Sequence, residues 1–196
     1  MELGFGQLLD ILAEMHPDVD PKVVSARLKY FQRLPEPFPS KATIVGAGAR
    51  ATYSAEDLMG LVLAFEFLAI GLAPLQSALL VRDDWPRLSS SFAKAWFTRE
   101  ARDPMIVMVR AEGLGSKRGL TGSIAIGDEI DLRNWAIAKV VEDRRLAVFD
   151  AGRVARALDG AISVTQPFKV VVAIGRLIES WRRTVMERSA VRRTGT

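Results

Sequence analysis

The chain contains no cysteine and a single histidine, His16. The first absence excludes disulfides, thiolate metal sites and a cysteine nucleophile. The second leaves any histidine-based mechanism without a second imidazole, and His16 reads as a helix-end or turn residue in the segment HPDVDP. Long uninterrupted apolar runs are also lacking: the longest candidate, residues 58–81, is broken by Glu66, Gly71 and Pro74, which favours two consecutive buried helices over a membrane span. The start, MELGFGQLLDIL, has neither the basic stretch nor the small-residue cleavage site of a secretory signal, so the expected location is cytoplasmic.

What is present is ample core material. The chain has 196 residues, 49% hydrophobic and 26% charged, which is enough for one large domain or two small ones. The net charge of +4 is unevenly placed. Residues 1–84 hold 7 Lys+Arg against 11 Asp+Glu, net −4, whereas residues 85–196 hold 20 against 12, net +8. Inside the acidic half, Lys22, Arg27, Lys29, Arg33, Lys41 and Arg50 face one acid between residues 22 and 53, Glu36. This local basic cluster is the strongest functional signal in the chain.

Helical periodicity places Phe5, Leu8, Leu9, Leu12 and Met15 on one stripe, predicting a helix over 5–15. Asp20 as cap and Pro21 at the first helical position predict a second helix over 21–34, with Val24, Leu28 and Phe31 as its core face. Lys22, Lys29 and Arg33 then fall elsewhere and can meet phosphates, with Ser25, Arg27, Tyr30 and Gln32 free for bases or backbone. On this segment alone, a solvated basic face is at least as good a reading as a DNA-contacting one. PEPFP ends the helix, and KATIVGAGARATYS reads as a two-stranded hairpin with Arg50 near its tip. The GAG within it lacks the following helix and acidic partner of a dinucleotide loop. Ser54, followed by Glu56 and Asp57, predicts the start of a third helix. Because that helix is apolar all round, it needs cover from the second half of the chain or from a partner subunit.

The three stretches RLKYFQRL, GARATYSAEDL and FLAIGLAPLQSALLV, in that order, resemble the MerR family of winged helix-turn-helix regulators, whose sequences run TLRYYE, then GYR and YSEEDL, then a helix ending in a Gly-led turn. Leu28, Lys29, Tyr30 and Phe31 match the LRYY positions, Tyr53, Asp57 and Leu58 the Y and DL positions, and Gly71 begins the later turn. The resemblance covers roughly 80 of the 196 residues. Lys29 stands where arginine is usual, Phe31 lacks a phenol hydroxyl, and one extra residue separates Arg50 from Tyr53. The resemblance implies a winged DNA-binding unit over residues 1–84, a homodimer on two-fold symmetric double-stranded DNA, and RNA polymerase as a further partner. Its implied DNA-contacting set is Lys22, Ser25, Arg27, Lys29, Tyr30, Arg33, Lys41, Arg50 and Tyr53.

The second half, 85–196, is expected to be an α+β unit. Leu88, Phe92 and Trp96 predict a helix within 86–102. Strands are expected in PMIVMVRAEGL and GSIAIGDEIDL, a hairpin in WAIAKVVEDRRLAVFD turning at 142–145, and a helix over 151–161 ending at Gly160. GLGSKRG departs from the phosphate-loop pattern, and Asp128, Glu129 and Asp131 read as surface charge. From Ile174 onward Leu177, Ile178, Trp181 and Val185 form a stripe suited equally to the chain's own core and to a dimer contact. The expected fold class is thus mainly α with small β: an N-terminal winged helix-turn-helix plus a C-terminal α+β unit.

The composition and motifs support no cofactor and no metal site, and no nucleophile–base pair indicates an enzyme. The leading functional expectation is a sequence-specific DNA-binding transcriptional regulator. The alternative is an architectural or phage-type DNA factor, excisionase-like or a packaging protein, sharing the winged fold.

Overall fold

A computed structural model of the chain describes residues 3–34, 52–97, 106–110, 124–127 and 146–165, with isolated helical positions at 176, 179, 180 and 183; the strands at 106–110, 124–127 and 146–149 are described by their backbone alone. The described residues are mainly helical. In chain order they form β1 (Leu3–Gly4), α1 (Phe5–Met15), α2 (Pro21–Gln32), β2 (Thr52–Tyr53), α3 (Ala55–Ala69), α4 (Pro74–Asp83), α5 (Trp85–Phe97), β3 (Ile106–Arg110), β4 (Ile124–Gly127), β5 (Leu146–Asp150) and α6 (Ala151–Thr165).

The helix boundaries follow from local chemistry. At α2, the Asp20 carboxylate accepts from the Lys22 amide at 2.8 Å. Pro21 opens the first turn of that helix, where no N–H is needed. At α3, Ser54 Oγ accepts from the Asp57 amide at 3.1 Å. The Asp57 carboxylate in turn accepts from the Ser54 amide at 2.7 Å. Together these two bonds make a reciprocal capping box. The other end of α3 closes through Gly71, whose φ of +99° puts it in the left-handed region. There the Leu72 amide donates to the Phe67 carbonyl and the Gly71 amide to the Leu68 carbonyl, both at 3.0 Å. This completes a Schellman turn with Leu72 buried. Pro74 then starts α4. Among the described residues no helix is long and apolar enough to cross a membrane.

One core joins both halves. It includes Leu8, Ile11 and Leu12 of α1, Val24, Leu28 and Phe31 of α2, and the apolar residues of α3, which is buried at every position from Leu58 to Phe67. Leu88, Phe92 and Trp96 of α5 and Val154, Leu158 and Ile162 of α6 complete it. Helix α6 packs against α1 and α5, so residues on either side of position 84 are buried together. The all-round cover that α3 requires therefore comes from the chain itself: from α4, from Phe31 of α2 against Phe65, and from Arg153 of α6 against Glu66.

Among the described residues, two small antiparallel sheets accompany the helices. In the first, Leu3 pairs with Tyr53 and Gly4 with Thr52, so the chain returns beside its own start after residues 35–51. In the second the order is β4-β3-β5, with β3 central: Ile106 lies opposite Gly127 on one side and opposite Asp150 on the other.

Helices α2 and α6 end differently from the sequence reading. Helix α2 stops at Gln32, with Arg33 as its cap, rather than at 34. Helix α6 continues through Gly160 to Thr165 because Ala161 and Ile162 extend the buried stripe of Ala151, Val154, Ala155 and Leu158. Packing there outweighs a mid-helix glycine cost of about 1 kcal/mol. Strand β5 falls in the second limb of the expected hairpin and pairs with β3. The first limb of its expected hairpin, the hairpin with Lys41 and Arg50, and the apolar stripe after Ile174 lie outside the described residues and side chains.

Candidate nucleic-acid interface

Helix α2 buries Val24, Leu28 and Phe31 and presents the opposite face outward. Lys22, Ala26, Lys29 and Arg33 are all exposed. Their spacings of four, three and four residues keep them in one narrow row along that outward face. Val23 and Tyr30 stand beside this row, 41% and 47% exposed. From Lys22 to Arg33 the row is about 17 Å long, enough to engage a B-DNA major groove of ~12 Å width. No acidic residue lies within α2, and Lys22, Lys29 and Arg33 form no ion pair among the described residues. Lys29, in the last turn, also complements the negative end of the helix dipole.

Other members of the expected set are placed differently. Ser25 and Arg27 are half-buried on the two flanks of the stripe. Tyr53 is 1% exposed; its hydroxyl accepts from Gln32 Nε2 and its ring belongs to the core, so it joins β2 to the end of α2 instead of lining the outer face. Burial, with a smaller contribution from Asp57, raises the Tyr53 pKa above its ordinary value, against a lowering effect of the Gln32 hydrogen bond. Gln32 is thereby committed internally and is not a free groove contact. Lys41 and Arg50 lie outside the described residues.

Beneath the helix is a polar cluster that sequence reasoning did not assemble. His16 caps the end of α1, stacks on Phe65 at 5.8 Å with 28° between the rings, and has a buried Nε2 without a hydrogen-bond partner among the described residues. Burial first, then the Arg27 and Arg153 guanidinium groups, hold its pKa below the usual 6.5. Glu66, 5% exposed, meets Arg153 Nη2 at 3.6 Å. Burial pushes its carboxyl above the usual 4.5, and Arg153 only partly opposes this. The signal in the sequence was the one acid in the apolar stretch from Leu58 to Leu72, but the partner comes from α6, far along the chain.

Val23 and Ala26 are also exposed on α2 and were not in the expected contact set. Ala26 lies within the cation row and Val23 on its flank next to Tyr30, both off the face formed by Val24, Leu28 and Phe31. Among the described residues no group of three or more potential metal ligands occurs.

No known protein-family model matches the chain, and no curated protein matches its sequence.

Proposed function

We propose that the chain is a sequence-specific DNA-binding regulator of transcription, with α2 as the element that enters the major groove and the 35–51 segment flanking it. The observation that carries this reading is the outward row Lys22, Ala26, Lys29, Arg33 with Tyr30 beside it, on a helix that has no acid and whose other face is locked into the core. Cations on a rigid helix supply phosphate contacts, and Arg and Lys can also address guanine edges. The pairing of β1 with β2, which sets Thr52 and Tyr53 beside the start of α1, supports the winged arrangement. The similarity to MerR regulators supports a homodimer on a symmetric site.

If three α2 cations each neutralise one phosphate, log K falls with log salt at a slope of about −2.7, or roughly 40-fold between about 50 and 200 mM salt. Lys29→Ala and Arg33→Ala should each weaken binding and reduce that slope by about 0.9, whereas Lys94→Ala on α5 should leave it unchanged. The decisive experiment is selection of bound duplexes from a random pool by the full chain. A symmetric consensus supports a dimeric regulator. Binding without enrichment points to an architectural factor, and absence of binding ends the DNA reading.

A further inference from the structure

The N-terminal turn of α2 offers side chains of an uncommon mixture. Val23 is 41% exposed and Ala26, one turn later, is also exposed, with Lys22 adjacent. A single exposed valine carries no meaning by itself. Its position does. A β-branched residue is a mediocre helix former, and here little burial compensates. It stands on the flank of the Lys22, Lys29 and Arg33 row, next to Tyr30, at the end of the helix whose residues reach base edges in helix-turn-helix docking. The helix terminus itself is not free to take a phosphate, because the Asp20 carboxylate already accepts from the Lys22 amide at 2.8 Å. What this turn presents to a groove is therefore a methyl-bearing patch next to one cation.

In the major groove of unmodified B-DNA, the apolar group that distinguishes a base pair is the C5-methyl of thymine. We infer that Val23, with Ala26 beside it, reads a thymine methyl, so each half-site contains a thymine facing the first turns of α2. This inference rests on the DNA-binding reading above and gives it a base preference that charge alone cannot supply, since lysine contacts to phosphate are blind to sequence.

The test uses the full chain and the consensus obtained by selection. Each thymine of the consensus is replaced in turn by deoxyuridine, which removes the methyl and leaves the pairing unchanged. Binding is then measured for the parent and for Val23→Ala, with a thermal melt to show that both are equally folded. One methyl removed from an apolar contact should weaken the parent about fourfold at one position per half-site. The same replacement should have little effect in Val23→Ala. If every deoxyuridine replacement is neutral in the parent, or if the loss persists unchanged in Val23→Ala, the thymine contact is wrong while the DNA reading stands. If the chain binds DNA without enriching any consensus, the thymine contact falls with sequence-specific recognition while DNA binding stands; absence of binding ends both.

Discussion

Glu66 offers the sharpest test of how the two halves of the chain are held. Glu66 is 5% exposed in the middle of α3, and its ion-pair partner, Arg153 Nη2, stands 3.6 Å away on a side chain that is 70% exposed. Withdrawing a carboxylate from water costs several kcal/mol. At this separation a guanidinium returns between about 1 kcal/mol, if water screens the pair fully, and about 5 kcal/mol at an effective dielectric of about 20. Because Arg153 is mostly in solvent, the lower part of that range applies, and desolvation wins, in keeping with the raised pKa. Glu66→Gln keeps the shape and removes the charge, so at pH 8 we expect it to stabilise the protein by about 1–2 kcal/mol.

The sign follows from linkage. A folded-state pKa above 4.5 means the parent has its full relative stability below 4.5 and loses it as pH rises through the folded value. The gap between Glu66→Gln and parent should therefore be near zero at pH 4.5 and open upward to pH 8. Urea titrations followed by circular dichroism at half-unit pH steps would measure it. Arg153→Met should cost about 1 kcal/mol in the parent and little in the Glu66→Gln background. If Glu66→Gln is destabilising by about 1 kcal/mol or more at pH 8, the attraction exceeds the desolvation cost and the reasoning is refuted.

Three further outcomes are expected. His16 has a lowered folded pKa, so its contribution is complete above 6.5 and is lost as pH falls through the folded value. His16→Phe, which keeps a ring on Phe65, should flatten the stability–pH curve below 6.5. Ser54→Ala removes the hydroxyl that caps the Asp57 amide. It should cost about 1 kcal/mol in thermal or urea unfolding, with Ser54→Asp recovering most of it. At Gly71 an added Cβ meets no neighbour within 4 Å, yet the φ of +99° is unfavourable for any side chain. Gly71→Ala should therefore lose about 1–2 kcal/mol in the same unfolding assay from backbone strain alone.

Much of the helical layout was legible in the sequence because its determinants are local. Asp20–Pro21, Ser54 with Asp57, and Gly71 before Pro74 each act within a turn of the helix they start or end. Gly160 misled for the complementary reason: its local tendency to stop a helix was overruled by Ala161 and Ile162, which join the buried core. The candidate interface was half legible. Lys22, Lys29, Tyr30 and Arg33 could be picked out from charge and the period of Val24, Leu28 and Phe31. Tyr53 could not, since its burial depends on β1 pairing with β2 and on Gln32 reaching across to its hydroxyl.

By itself, the sequence determined where α1, α2 and α3 begin, which face of α2 is apolar, and that six cations gather between residues 22 and 53, all properties of spacing along one segment. Only the tertiary structure decided that α6 shares a core with α1 and α5, that β3 is the central strand beside β5, and that Arg153 answers Glu66. Those contacts join residues far apart in the chain. They are selected by which packed arrangement buries the apolar faces together, a quantity no local window of sequence contains.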